Sequence, residues 1–355
     1  MTGGRLSQDS ALRMPRDVPL AELAWAADRV CEKMHPGGVR TYVIDRNINY
    51  TNVCVSGCCF CAFYREPGDP RGYVLTTEQV LDKIREAVEL GATQILMQGG
   101  LHPELAIEYF EGLFRQIKRS FDVQLHSLSA PEIVHIAAVS GLTIEEAMTR
   151  LREAGLDSLP GGGAEILVDE VRSRVSPRKC TAGQWLDVMR TAGRLGMRAT
   201  ATMLFGMGES TADRVKHLEA VRSLQDETGV FTAFIPWTFQ PGATTLGGHA
   251  VGAHEYLTVL AISRLYLDNV SNIQASWVTQ GGEIAQLALK SGANDIGSTM
   301  IEENVVAAAG VSHSMSEADL IGLIHRAGYD AAQRSTVYEI IEPHPRQARA
   351  AMESK

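Results

Sequence analysis

A chain of 355 residues that is 45% apolar and 21% charged can bury a large core, either as two domains or as one α/β barrel. Its net charge of −9 repels phosphate backbones and anionic lipid, which excludes nucleic acid and membrane surfaces as partners and leaves small-molecule chemistry. No run of about 18 apolar residues could span a membrane. The first 20 residues hold no apolar leader core, and six cysteines, three of them clustered, suit a reducing compartment, so a cytoplasmic chain is expected.

Residues 1–18 are polar and aperiodic and are expected to fray as a tail, with a second tail at 346–355 and a single domain over 19–345. A short lead-in helix is predicted from Leu20 to Met34, ended by the Pro36-Gly37-Gly38 turn. Residues 40–52 alternate as a strand and deliver the segment NINYTNVCVSGCCFCAFY, while 66–71 carry Pro67, Gly68, Asp69 and Pro70 and read as loop.

A repeating cadence of helix and strand follows. Thr76 or Thr77 caps a helix whose apolar face is Val80, Leu81, Ile84, Ala87 and Val88, and Gly91 stops it before a strand at 94–97. Further helices are predicted at 104–118, 143–154, 185–195 (capped by Thr181), after Ser210, at 254–268 and at 281–290. Strands are predicted at 123–128, 156–159, 199–205, 230–237, 273–277 and 295–297. Counting the strand near Ile48, this gives eight βα units, and so a closed (β/α)8 barrel of the TIM type in one α/β domain. A six-stranded partial barrel with a helical C-terminal extension is the alternative.

In such barrels the functional residues sit on loops after the strands. The first of these loops holds Cys54, Cys58 and Cys61 as C-x3-C-x2-C, with Phe60 just ahead of the last thiol. Three thiolates at this spacing suit three irons of a [4Fe–4S] cluster, whose fourth iron stays open to a chelating ligand. A zinc site would ask for a fourth ligand, typically in a second pair, and none follows downstream. A disulfide pair or three structural thiols would also be compatible with the spacing. Later loops present Gly99, Gly100 and His102, then His126 and Ser129, then Gly161 to Gly163 and Glu165. Gly99 and Gly100 permit a close backbone approach, and Glu165 suits a ribose hydroxyl or an amino group. His102 and His126 could move a proton near neutral pH, and Trp237 reads as core.

The stretches RNINYTNVCVSGCCFCAFYR, QGGLHP, LHSLSAPE, GLDSLPGGGAEIL, SPRKCTAGQWLDVMR and NDIGSTMIEENV resemble radical S-adenosylmethionine (SAM) enzymes over roughly residues 40–345. More narrowly they resemble the dehypoxanthinyl futalosine cyclases of the futalosine route to menaquinone, in a branch shared with aminofutalosine synthase and the two halves of FO synthase. The resemblance implies a radical SAM barrel and an oxidoreductase that takes a [4Fe–4S] cluster, S-adenosyl-L-methionine and electrons from an external donor such as flavodoxin or ferredoxin. It implies dehypoxanthine futalosine as substrate, hydrogen abstraction at ribose C4′ by a 5′-deoxyadenosyl radical, and ring closure onto the benzoate. It places Cys54, Cys58 and Cys61 as cluster ligands, Gly99, Gly100, Ser129 and Glu165 against the cofactor, and Phe60 near its adenine. His126 or His102 would accept the last proton. Cys59 departs from the family pattern, where a basic or polar residue is common, and its side chain is expected to point away from the cluster. A sibling enzyme, or a zinc-stabilised barrel that binds a metabolite, are the competing functions.

Overall fold

The computed structural model describes residues 4–310 and 313–346. Eleven strands alternate with helices: β1 (Val39–Val43), β2 (Asp45–Ile48), β3 (Gln94–Met97), β4 (Gln124–Ser127), β5 (Ser158–Leu159), β6 (Arg198–Phe205), β7 (Phe231–Thr238), β8 (Asn272–Ile273), β9 (Asp295–Ser298), β10 (Asp330–Arg334) and β11 (Ile340–His344). Strands β2 to β8 form one parallel sheet in sequence order. The gap between its edges is spanned by β9, which meets β8 through the Gln274–Asp295 bridge and pairs with β1, the strand that runs on into β2 past Ile44. The ring therefore has the eight strand positions that the cadence predicts.

The caps explain why the helices start where they do. Thr76, Thr143, Thr181 and Ser210 each close a capping box with Gln79, Glu146, Gln184 and Asp213, so two otherwise orphaned N–H groups are satisfied at each start. Gly155, at φ +119°, ends the helix that Thr143 opens, in the left-handed conformation that glycine adopts without strain.

Two expectations change. Residues 8–17 are not a frayed tail but an α-helix, Gln8–Asp17, capped by Ser7 and seated by the fully buried Ala11. Arg5 fixes its start with ion pairs of 2.6 Å to Asp226 and 2.7 Å to Asp268, partners more than 200 positions away that local pattern cannot reveal. The other is the helical C-terminal extension of the alternative reading: among the described residues β10 and β11 form an antiparallel hairpin, and β10 lies parallel to β1 from Val39 to Tyr42. Arg346 donates its backbone N–H to Asp330, and the remainder of the expected tail at 346–355 lies outside the described residues.

The lumen of the ring carries the most information about function. TIM-type barrels usually fill it with layers of Val, Ile and Leu. Here Asp45 and Asn47 of β2, Gln94 of β3, His126 of β4 and Thr200 and Thr202 of β6 face inward, while Ile95 and Met97 of β3 pack outward into the core under the helices. A lumen lined with amides, hydroxyls and a carboxyl is built to hold a ligand.

Candidate active site

β2 leads directly into the cysteine loop, whose base is closed by backbone bonds from Cys54 to Arg65 (2.9 Å) and from Arg65 to Asn52 (2.8 Å). Inside it, Cys61 N–H donates to the Cys58 carbonyl at 3.1 Å, Ser56 N–H points at Cys54 Sγ (3.4 Å), and Ser56 Oγ lies 3.1 Å from Cys58 Sγ. Gly57 sits at φ +59° beneath the Arg178 guanidinium, a left-handed conformation that favours glycine at this turn. Cys59 turns away from the other thiols: its N–H and its Sγ lie 3.0 Å and 3.2 Å from the Val175 carbonyl, and it packs on a small apolar cluster of Val175, Leu204, Met207 and Phe239. Among the described residues no three metal-ligating side chains converge on one point. Burial pushes the Cys58 and Cys61 thiols up from their ordinary range.

The glycine loop is pressed onto the cysteine loop. A Cβ on Gly100 would lie 2.2 Å from the Val53 carbonyl oxygen and 2.9 Å from Cys54 Cβ, and one on Gly99 would strike the Tyr50 ring at 2.7 Å. Both glycines are thus demanded by protein packing, and what they achieve is contact between the two loops.

Glu132, which the sequence pattern does not single out, ties three of these segments together. Its buried carboxylate accepts from Tyr50 Oη (2.8 Å), Gly99 N (2.9 Å), Ser129 N (2.7 Å) and Ser129 Oγ (2.5 Å). The S-x-x-E box of Ser129 and Glu132 is the signal that could have found it. Glu132→Ala leaves these donors unsatisfied in a buried place and is expected to lower stability by about 2–3 kcal/mol, read from urea midpoints.

Glu165 is not free. Buried, and strained at φ +42°, it is ion-paired with Lys179, whose ammonium also stands 5.5 Å from the Phe60 ring centroid. The carboxylate drives the Lys179 pKa well above its ordinary value against the opposing effect of burial. Lys179, Arg178 and Val175 all belong to the stretch around SPRKC, which therefore folds over the cysteine loop through side-chain and backbone contacts.

The two histidines part company. His126 lines the lumen, with Nδ1 2.7 Å from Ser158 Oγ, and burial lowers its pKa to about 3. His102 does not line the lumen: its Nδ1 accepts from Glu104 N at 3.1 Å and it borders shallow hollows beside Pro103 and Asp69. His217, buried outside the lumen, is likewise held at about 3 by desolvation. Between about pH 6.5 and 3 the unfolded imidazoles take up protons that the folded His126 and His217 refuse, so stability falls as pH drops through that window. The expected slope is up to about 1.4 kcal/mol per pH unit for each group. His217→Gln should remove one of the two contributions in denaturation curves taken across that range.

Beyond the loops, the cavity takes in about 1190 Å³ of space, open solvent at its mouth included. The turn at 335–338 after β10 adds Thr336 and Tyr338 to its lining, beside Arg334, itself paired to Asp295 at 2.5 Å. Trp237, read as core from the sequence, packs on the apolar cluster behind Cys59 and also lines this cavity.

The profile described as the radical SAM superfamily matches residues 48–221, and that of the CofH/MqnC C-terminal region matches residues 228–347. The chain is 49% identical over 343 residues to a Halalkalibacterium halodurans protein named cyclic dehypoxanthine futalosine synthase, covering 96% of this chain and 93% of that one. A Streptomyces coelicolor protein of the same name is 46% identical over 347 residues, with 96% and 87% covered. A Methanothermobacter thermautotrophicus protein named 5-amino-6-(D-ribitylamino)uracil–L-tyrosine 4-hydroxyphenyl transferase is 43% identical over 340 residues, with 91% and 90% covered. In fold the chain is similar to the FeFe-hydrogenase maturase HydG of Carboxydothermus hydrogenoformans, with a TM-score of 0.74, 16% identity, and 94% of this chain and 77% of that one covered.

Proposed function

The chain belongs to the radical SAM superfamily, and from that premise we propose that it is the cyclase that converts dehypoxanthine futalosine to cyclic dehypoxanthine futalosine. The observation that carries this reading is identity of 49% and 46%, each over 96% of the chain, to two relatives of that name. The family's cofactors are a [4Fe–4S] cluster and S-adenosylmethionine, which on reduction supply a 5′-deoxyadenosyl radical. Cys54, Cys58 and Cys61 are the ligands in this reading; their donor set fits, being three thiols on one loop with the fourth, Cys59, directed elsewhere. Gly99, Gly100, Ser129 and the Glu165–Lys179 pair surround that loop and would hold the sulfonium cofactor, with Phe60 at its adenine.

The substrate would lie in the lumen, lined by residues of β2 to β9 and of the turn at 335–338. After ring closure the ring is a radical, and to become aromatic again it must lose one electron, to the oxidised cluster or an external one-electron acceptor, and the arene carbon that has gained a bond must give up its hydrogen as a proton. His126 is the acceptor in this reading: with Nδ1–H donating to Ser158 Oγ, its other ring nitrogen is left for the ligand. His102 is set aside, because it borders another hollow. The electron donor would be a small flavodoxin or ferredoxin, and the setting cytoplasmic. No helix of the described residues is long and apolar enough to cross a membrane.

A sibling activity is favoured by the 43% identity to the 4-hydroxyphenyl transferase. Incubating reduced protein and S-adenosylmethionine with dehypoxanthine futalosine, with an enolpyruvyl benzoate, and with ribitylaminouracil plus tyrosine separates the readings. Product from the first alone supports the cyclase, and product from either of the others alone overturns it.

A further inference from the structure

Reduction of a cluster at Cys54, Cys58 and Cys61 needs one electron from outside the chain. The remaining thiols each engage a different part of the protein: Cys31 faces the Ala293 carbonyl, Cys59 the Val175 carbonyl and Cys180 the Arg172 guanidinium. They cannot hold a second cluster to relay the electron, so the carrier must come up to the cysteine loop itself. The turn of that loop at Gly57, between Cys54 and Cys58, has no side chain and is only half-buried.

Three cations surround this turn. The Arg178 guanidinium lies over Gly57 and donates to the Ser56 carbonyl at 3.3 Å. Arg174, one residue before the Val175 that binds Cys59, donates to the Gly208 carbonyl at 2.9 Å, and Arg65, at the base of the loop, donates to the carbonyls of Ala62, Phe63 and Tyr64. Arg174 and Arg178 are exposed and Arg65 is half-buried. None of the three is ion-paired among the described residues, whereas their neighbours Arg71 and Lys179 are held by Asp69 and Glu165. Asp213, which feels the Arg174 charge, is committed to the cap at Ser210, and Glu66 and Glu170 are the other acids close in sequence. A basic turn is a local exception on a chain of net charge −9. At 0.1 M salt, charges more than about 10 Å away are largely screened, so a docking partner responds to the turn and not to the net charge.

We propose that this turn is the docking face for a small acidic electron-carrier protein. Carboxylates of the carrier meet Arg174, Arg178 and Arg65, and one electron passes from the reduced carrier to the oxidised cluster, leaving the carrier oxidised by one electron. The inference rests on the triplet as the cluster site and not on which substrate is cyclised.

The test uses the cluster-loaded protein and, as probe, a flavodoxin of strongly negative charge. Calorimetry with oxidised flavodoxin, in which no electron moves, should show binding to the wild type that weakens as salt is raised. The double variant Arg174→Glu, Arg178→Glu is expected to weaken that binding about tenfold and to flatten its salt dependence. Arg119→Glu, on the last turn of the helix Ile107–Ser120 and so at the opposite rim of the barrel, should bind as the wild type does. Driven by reduced flavodoxin, the double variant should need about tenfold more carrier for half-maximal 5′-deoxyadenosine formation. Driven by excess dithionite, which reaches the cluster without docking, it should match the wild type. Iron content reports whether the cluster is kept. If Arg178→Glu loses it, Arg174→Glu alone decides the matter, with an expected loss of about threefold, because that guanidinium touches Gly208 and not the cysteine loop. Unchanged flavodoxin binding in the variants, binding indifferent to salt in the wild type, or equal loss with flavodoxin and with dithionite overturns the proposal while the cluster site stands. If neither reductant yields 5′-deoxyadenosine from the wild type, the cluster site itself fails and the docking face falls with it.

Discussion

Cys58→Ala is expected to yield a folded barrel that assembles no stable [4Fe–4S] cluster and forms 5′-deoxyadenosine at least about 10³-fold more slowly than the wild type. The fold should survive because Cys58, though buried, sits on a loop at the mouth of the barrel, closed at its base by the backbone bonds of Cys54, Arg65 and Asn52. Deleting one sulfur there removes the contact with Ser56 Oγ and little else, a change of about 1 kcal/mol or less. Cys59 is one residue away, but its sulfur is anchored on the Val175 carbonyl and packed in the apolar cluster behind the loop, so it is poorly placed to substitute. Iron and sulfide analysis with the 400-nm-region absorption band checks the first half, and circular dichroism the second. Four irons per chain in Cys58→Ala would contradict the ligand assignment, and Cys59→Ala, which should keep its cluster, is the companion control.

His126→Gln is expected to lower formation of the cyclic product by about 10²-fold or more while 5′-deoxyadenosine continues to appear, because hydrogen abstraction comes before the step that needs a base. Glutamine keeps a polar group near Ser158 but has no nitrogen able to accept a proton, so the loss is chemical and not a matter of packing. The neutral state of His126 matters here: with its pKa held at about 3 by burial, activity should show no acid limb from this residue above about pH 4. Parallel loss of both products in His126→Gln would instead make it a structural residue of the β4–β5 pair. Asp45 shares the lumen, accepting from Gln94 at 2.8 Å, and its pKa is raised by burial, so Asp45→Asn serves as the comparison that asks which group takes the proton.

The parts of the fold that are legible in the sequence are those written in local chemistry. Threonine and serine caps with a glutamine or acid three residues on, and helix-ending glycines such as Gly155, locate most helices to within a few residues. The hairpin of β10 and β11 is not legible, because β10 finds its partner β1 almost 300 positions earlier, and nothing near Asp330 announces it. The helix at Gln8–Asp17 is hidden for a similar reason, its anchor being Arg5 between two distant aspartates.

In the site, the cysteine triplet is readable because a [4Fe–4S] cluster in the proposed reading asks for three thiols at one spacing on one loop. The roles of Glu132 and Lys179 are not: the S-x-x-E box marks Glu132 only as a capping acid, and a capping acid and a loop lysine look the same in sequence whether or not they are buried. Their roles come from what the fold brings to them: Tyr50 and Gly99 to the first, Glu165 and the Phe60 ring to the second. One further signal lies in the strands themselves. Parallel strands buried on both faces usually read as unbroken apolar runs, yet Asp45 and Asn47, Gln94, His126, and Thr200 and Thr202 interrupt theirs at inward positions, marking a lumen lined with polar groups.

The most direct test is the anaerobic reaction of reduced, cluster-loaded protein with S-adenosylmethionine and dehypoxanthine futalosine carrying deuterium at ribose C4′. The predicted result is cyclic dehypoxanthine futalosine together with deuterated 5′-deoxyadenosine, in near-equal amounts. Unlabelled 5′-deoxyadenosine, or none above the level formed without substrate, would contradict it.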